Sequence, residues 1–374
     1  MPLPFWFALF DASLAAAHRT FDSMASLTPG LGERPKPPAS WRWSTTSSIV
    51  RELPTMRLRE FAGTAGGPGM ILVAPYALHG ATITDLAPGH SVIKALLAAG
   101  IGQVWLTEWR SADEAHRHQS IDAQLADLNV AVDDCGAPVA MAGLCQGGTL
   151  AAIYAARFPA KILRLVLVGA PIDMAAAPSV LTDMVERTPA AAVDLMLDQW
   201  GGLVRGRIMQ DLWPSAMTND GLLAAVLQRR RVPAWLRSRF QEWDAEIVDL
   251  PGAFYRDTVN WIFRQNRLVS GTFPALGREI GLGAIACPLL LVAARDDEIV
   301  SPPQLLDMAS QVASPPDRIA VRLVAGRHLS LFMGKDVLAR TWPEIAAFLT
   351  ERPAAQPKPK ARAGRMTRRR ASER

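Results

Sequence analysis

The chain has 374 residues, of which 49% are hydrophobic and 20% charged, a balance that excludes a disordered polymer and supplies ample material for a core. Its net charge of +5 is unevenly placed: residues 353–374 hold eight Lys/Arg and one acid, so the tail carries +7 and the rest of the chain −2. Three cysteines, Cys135, Cys145 and Cys287, at wide and unrelated spacings exclude a disulfide framework and a zinc pattern, and they fit a reducing cytoplasm.

Residues 2–27 begin Pro-Leu-Pro-Phe-Trp-Phe and read as an amphipathic helix with Phe5, Trp6, Leu9 and Phe10 on one face. No basic residue precedes the apolar part and Asp11 interrupts it, which argues against a secretory signal. Docking onto the body is the first expectation for this helix, and attachment to a hydrophobic surface or partner the second. Residues 28–40 are rich in Pro and Gly and read as a linker. No apolar run is long enough to span a bilayer.

From residue 41 a rhythm sets in. Residues 49–62 alternate as one edge strand, and Gly69-Met-Ile-Leu-Val-Ala-Pro75 suits a buried strand. Residues 76–90 read as a loop, 91–99 as a helix, 104–109 as a strand and 119–135 as an amphipathic helix. Val139 to Ala142 then forms an apolar strand, Gly143-Leu-Cys-Gln-Gly147 a sharp turn, and Thr149 to Phe158 a helix without internal Gly or Pro. Another strand follows at 163–169. Strands alternating with helices at this spacing imply an α/β fold with a mostly parallel sheet and helices on both faces.

The turn at 143–147 has the form of a nucleophile elbow, with Cys145 at its apex and small residues two positions to either side. Glycines suit it because the backbone is strained and strand and helix pass closely. A helix N-terminus aimed at the sulfur favours thiolate. The alternative reading of Gly-x-Cys-x-Gly is a buried structural cysteine in an ordinary turn, so the rest of the chain must decide.

Residues 174–283 break the rhythm. They hold Trp200, Trp213, Trp235, Trp243 and Trp261 with Phe240, Phe254 and Tyr255, mostly at helical spacing, and read as a helical cap inserted over the site. The alternative is a second structural domain away from the site. The rhythm resumes with a strand at 287–294, Arg295-Asp-Asp-Glu298 at its end, a last strand at 318–324, Gly326-Arg-His-Leu-Ser330, and a closing helix at 335–351. The expected organisation is therefore an N-terminal helix and linker (1–40), a core (41–173 and 284–352), a cap (174–283) and a disordered basic tail (353–374).

Cys145, an Asp after one strand and His328 after the last strand reproduce the chain order of α/β-hydrolases. Strand C-termini gather along one edge of an open sheet, so wide sequence separation is no obstacle. His328 would take the thiol proton, and a carboxylate would fix its tautomer. Asp296 and Asp297 compete for that place on spacing alone. The oxyanion donors would be the backbone N–H of Gln146 and one from the turn around Leu78 and His79. The remaining histidines, His18, His79, His90, His116 and His118, have no nucleophile beside them in sequence.

With these residues in place, the chain resembles the poly(3-hydroxyalkanoate) synthases, nearest the short-chain classes that work with a second subunit. The resemblance runs from about Gly69 to Arg352. Gly143-Leu-Cys-Gln-Gly-Gly-Thr149 is similar to the family's lipase-like box with its acylated Cys. Tyr76-Ala-Leu78, Thr84-Asp-Leu86 and Ser91-Val-Ile-Lys-Ala-Leu96 resemble the segment after the oxyanion strand, and Ala170-Pro-Ile-Asp173 the Thr-Pro-x-Asp after the elbow helix. Arg295-Asp-Asp-Glu-Ile-Val-Ser-Pro302 matches an Asp-His-Ile-Val-Pro type stretch, which implies Asp297 as the acid, and Gly326-Arg-His-Leu329 with Gly334-Lys335 matches the segment holding the base. This chain departs from the pattern at His79-Gly80, where Asn is common, at Glu298, where His is common, and at Arg327, where Gly is common. A cation at Arg327 is expected to disfavour the His328 imidazolium.

The resemblance implies an acyltransferase that moves 3-hydroxyacyl groups from CoA thioester, through Cys145, to a growing polyester, with no cofactor and no metal. Thiol attack on a thioester keeps the acyl group activated, and a cap would exclude water from the acyl-enzyme. Intracellular depolymerases share such a core, so polymer or thioester hydrolysis is the alternative, and a non-catalytic granule-binding protein a third. Implied partners are 3-hydroxyacyl-CoA, the polyester and a second synthase subunit or granule protein, in the cytoplasm or on granules. The tail, with Lys358, Lys360, Arg362, Arg365 and Arg368 to Arg370, is expected either to solubilise or to hold nucleic acid or an acidic partner without sequence preference.

Overall fold

The computed structural model describes residues 43–63, 66–212 and 220–351. The expected N-terminal helix, its linker, Trp213 and the basic tail lie outside these residues.

Eight strands form one sheet: β1 (Ser48–Glu52), β2 (Met56–Ala62), β3 (Gly69–Val73), β4 (Gln103–Trp109), β5 (Val139–Leu144), β6 (Ile162–Val168), β7 (Leu289–Ala294) and β8 (Ile319–Val324). Their order is β1-β2-β4-β3-β5-β6-β7-β8. β1 and β2 are antiparallel to each other, and β2 is antiparallel to β4. From β4 onward every pairing is parallel. The central strands read Gly-Met-Ile-Leu-Val, Val-Ala-Met-Ala-Gly-Leu and Leu-Leu-Leu-Val-Ala-Ala and are buried almost throughout. Such continuous apolar runs mark parallel strands covered on both faces.

Residues 49–62 are two strands rather than one. Pro54 cannot donate to a ladder, and the chain reverses there, with Leu53 N–H donating to Met56 O at 2.8 Å. Thr55 anchors the reversal, since its backbone N–H and hydroxyl both donate to buried Asp127 Oδ2 at 2.7 Å. Only β1 is an edge. β2 lies inside the sheet and buries Met56, Leu58 and Phe61.

Helices α1 (Val92–Ala98), α2 (Ile121–Asp134) and α3 (Gln146–Arg157) connect the strands. Ser91 caps α1, its hydroxyl accepting from Lys94 N–H at 2.9 Å. The stretch read as a loop at 76–90 contains a buried 3₁₀ turn, Ala81–Thr84, and a short ribbon pairing Asp85–Ala87 with His90–Ser91. It is buried because Asp85 accepts from Thr45 N–H, the Thr45 hydroxyl and the Ser91 hydroxyl, so its polar groups are matched inside the fold.

Between β6 and β7 the described chain is mostly helical: α4 (Val180–Arg187), α5 (Ala190–Gln199), α6 (Gly206–Leu212), α7 (Asp220–Val226), α8 (Ala234–Asp244), α9 (Gly252–Asp257) and a π-helical turn, Thr258–Arg264. Two two-stranded ribbons interrupt it. The insertion is stitched to the core by Gln228, which sits at φ 52°. Its amide donates to Ala325 O and accepts from Asp336 and Val337 N–H, which caps the closing helix α10 (Lys335–Thr350) from 108 and 109 residues upstream. Arg229 adds a second tie, donating from Nε to His90 Nε2 at 2.7 Å, while His90 Nδ1 lies 2.6 Å from Met333 O. Among the described residues no helix is long and apolar enough to cross a membrane.

Candidate active site

Cys145 lies between β5 and α3 with φ 47° and ψ −126°, a conformation that costs of order 1–3 kcal/mol for a residue with a side chain. Surrounding bonds hold it there. Its N–H donates to Val168 O at 2.9 Å, and its carbonyl accepts from Gly148 N–H at 2.8 Å. Glycine is required on both sides by contact. A Cβ on Gly143 would sit 2.5 Å from Gly148 Cα, and one on Gly147 would sit 2.3 Å from Ala74 O.

The C-terminal edge of the sheet brings the other candidates to this turn. His328 follows β8 and is 2% exposed. Its Nδ1 lies 2.8 Å from Asp297 Oδ2, and the charge of Cys145 acts on the same ring. Asp297 Oδ1 accepts from Ile299 N–H at 3.0 Å and Val300 N–H at 2.8 Å, so both carboxylate oxygens are committed and the group is fixed. Asp296, by contrast, is exposed, and its backbone N–H donates to Gly326 O. Of the two acids left open by spacing, Asp297 is the one at the imidazole.

Burial by itself would disfavour the His328 imidazolium. The charges of Asp297 and then Cys145 outweigh it and hold the ring well above the ordinary histidine value of 6.5. The cation expected to weaken this base does not decide its charge, and it is met by an acid. Arg327 Nε lies 3.4 Å from Glu298 Oε1, and Glu298 Oε2 accepts from His328 backbone N–H at 3.2 Å.

Gln146 opens α3, so its N–H has no intrahelical acceptor. In the other expected oxyanion segment, Leu78 holds φ 52°. His79 N–H donates to Ala77 O at 2.5 Å and Gly80 N–H to Glu246 O at 3.2 Å, which leaves Leu78 as the candidate donor of that turn. Asp173, singled out by its family-like motif, is a structural hub: it accepts from Asn266 Nδ2 at 2.7 Å and Gln311 Nε2 at 2.9 Å.

The segment at 246–249 escaped sequence reading. It runs along the Leu78 turn, with Val248 N–H donating to Leu78 O at 2.7 Å. His79 stacks on Trp243 at 4.6 Å and pairs with Asp244 at 3.3 Å. The Glu246 carboxylate accepts from the Thr82 hydroxyl, and burial pushes it up to about 7 from 4.5. A carboxyl raised in the folded state binds more protons folded than unfolded, so stability falls as pH rises between those values. Glu246→Gln should therefore gain stability relative to the parent between about pH 5 and about pH 8, by on the order of 2 kcal/mol. Paired thermal melts at both pH values check this, and a pH-independent difference would contradict it.

Beside the elbow is a cavity of about 10 Å³, walled by Tyr76, Trp109, Gln146, Leu150, Phe254 and Thr258, space for roughly one water molecule. Tyr76 packs on Trp109 at 5.5 Å and on Phe254 of the insertion at 5.0 Å. The insertion thus packs on the aromatic wall next to the elbow through Phe254.

Residues 90–335 match the model of the alpha/beta hydrolase fold family. The chain belongs to this family. Among curated proteins it is 26% identical over 286 residues to the poly(3-hydroxyalkanoate) polymerase subunit PhaC of Allochromatium vinosum, an alignment covering 72% of this chain and 77% of that protein. It is 25% identical over 294 residues to the protein of the same name from Synechocystis sp., covering 72% and 74%. Among solved structures, a thermophilic esterase from Thermogutta terrifontis superposes with TM-score 0.53 at 13% identity, over 82% of this chain and 100% of that one. That likeness concerns the fold alone.

Proposed function

We propose that this α/β-hydrolase-fold protein is a polyhydroxyalkanoate-synthase-like acyltransferase that uses Cys145, His328 and Asp297. The observation that carries the proposal is the buried imidazole–carboxylate pair of His328 and Asp297, with Cys145 at the elbow acting on the same ring, in a chain whose curated relatives are poly(3-hydroxyalkanoate) polymerase subunits. Cys145 sulfur attacks the carbonyl carbon of a 3-hydroxyacyl-CoA, and His328 takes the thiol proton as the C–S bond forms. The oxyanion is held by the N–H of Gln146 and by that of Leu78. Collapse breaks the bond to CoA sulfur, which leaves with the proton returned by His328. One thioester has replaced another at little thermodynamic cost. The 3-hydroxyl of a second acyl unit then attacks, His328 removes its proton, and an oxygen ester forms as Cys145 is released. No cofactor or metal enters these steps.

The aromatic wall serves this sequence by excluding water, which would otherwise hydrolyse the acyl-enzyme. A second polypeptide belongs to the proposal because the relatives' names describe a subunit. Purified protein supplied with (R)-3-hydroxybutyryl-CoA, alone and with a co-purified partner, tests the reading. CoA release together with insoluble polyester is the expected result. CoA release with only free hydroxy acid would make the protein a thioesterase. No release, with loss of preformed amorphous polymer, would make it a depolymerase.

A further inference from the structure

His328 has a charged neighbour on its own loop that should weaken it, and a second charge from another loop that meets the first. Arg327 precedes the base directly. Glu298 follows Asp297 directly and comes from the loop after β7. The two side chains are partly buried, at 31% and 25% exposure, and form an ion pair at 3.4 Å. The same carboxylate reaches the base, with Oε2 3.2 Å from the His328 backbone N–H. One residue therefore holds the peptide that carries the imidazole, while its neighbour Asp297 holds the ring at Nδ1.

We propose that Glu298 and Arg327 form a compensating pair that positions His328 and sets the electrostatic poise of the Cys145–His328 couple. The inference rests on the catalytic reading of that couple. An unpaired guanidinium beside the imidazole would oppose the thiolate–imidazolium form, and an unpaired carboxylate would favour it. Together they cancel. The other titratable groups facing the ring are Cys145 and Asp297. Phe332 meets it edge-on at 5.3 Å, and a Cβ on Gly169 would lie 3.3 Å from its Cε1, so those sides are uncharged. Asp296 is exposed to solvent.

Two single changes and their combination separate this from a purely structural role. Glu298→Gln keeps an acceptor for the His328 N–H and removes only the charge. Arg327→Ala removes the opposing charge. The readout is the pH dependence of Cys145 alkylation by iodoacetamide in the full-length protein, followed on the Cys145 peptide by mass spectrometry. Burial pushes Cys135 up to about 12 and Cys287 up to about 11, so neither competes near neutrality. A neighbouring anion holds protons on the couple and a neighbouring cation releases them, so the midpoint should move down by about half a pH unit in Glu298→Gln and up by a similar amount in Arg327→Ala. The double variant should return to the parent value. Single variants that leave the midpoint in place or shift it in one common direction, or a double variant that fails to compensate, overturn the proposal. His328→Gln is the control for the reading beneath it. If that change leaves the parent profile untouched, the couple itself is refuted and the pair with it. If the profile depends on His328 but ignores both charge changes, only the pair is refuted.

Discussion

Cys145→Ala should lose CoA release from (R)-3-hydroxybutyryl-CoA by at least about 10⁴-fold, because a covalent route has no substitute for its nucleophile. The change should cost little stability. Cys145 is only partly buried, and Ala at the same strained φ introduces no new branch. Cys145→Ser is the more informative partner. It keeps an attacking group at the apex, but its acyl-enzyme would be an oxygen ester, so the near-thermoneutral exchange of one thioester for another is gone. It should stall after a single acylation, if it acylates at all. Thermal melts superposing on the parent, with turnover absent in Ala and at most stoichiometric in Ser, are the expected outcome. Sustained CoA release from Cys145→Ala would show that the thiol is not the nucleophile.

Asp297→Asn should lower kcat by roughly 10³–10⁴-fold, since the amide favours the wrong imidazole tautomer and cannot balance an imidazolium. Asp296→Asn should stay within a few-fold of the parent. The contrast follows from the geometry: Asp297 spends one oxygen on His328 and the other on two backbone N–H groups, whereas the Asp296 side chain faces solvent. Steady-state kinetics on both variants decide it, and equal losses at 296 and 297 would contradict the assignment. The Asp297 variant should also move the pH profile. Asp297 is the first of the charges that hold His328 above the ordinary histidine range, so without it the imidazolium should be lost at lower pH.

The parts of the fold legible in the sequence were those whose physics is local. β3, β5 and β7 are apolar on both faces and announce themselves as buried parallel strands. The elbow is a contiguous strand, turn and helix whose glycines answer to contacts within a few residues or with the adjacent strand. What misled was partnership across long separations. The alternation of residues 49–62 ran through Pro54 and concealed a reversal, because the bond that fixes it comes from Asp127. Residues 76–90 read as a loop because Asp85 finds its partners at Thr45 as well as at Ser91.

The candidate site divides in the same way. Chain order and strand ends pointed to Cys145, an acid and His328, but spacing could not separate Asp296 from Asp297. That choice came first from a resemblance, and the distance from Asp297 to the imidazole now supports it. Arg327 looked like a defect when read alone, because its partner Glu298 lies on another loop. Gln228, which caps α10 from the insertion, left no local signal at all. Nor did the run of backbone bonds that ties residues 246–248 to the Leu78 turn. These ties join the insertion to the Leu78 turn and to the chain that follows His328.

The central claim is that an acyl group rides on Cys145. Its most direct test is mass spectrometry of the protein quenched in acid shortly after mixing with (R)-3-hydroxybutyryl-CoA, followed by peptide mapping. The account predicts a mass increment of one or more 3-hydroxybutyryl units on the peptide carrying Cys145, sensitive to hydroxylamine and absent in Cys145→Ala. CoA released with that peptide unmodified at every time point, or with the acyl group on another residue, would contradict it.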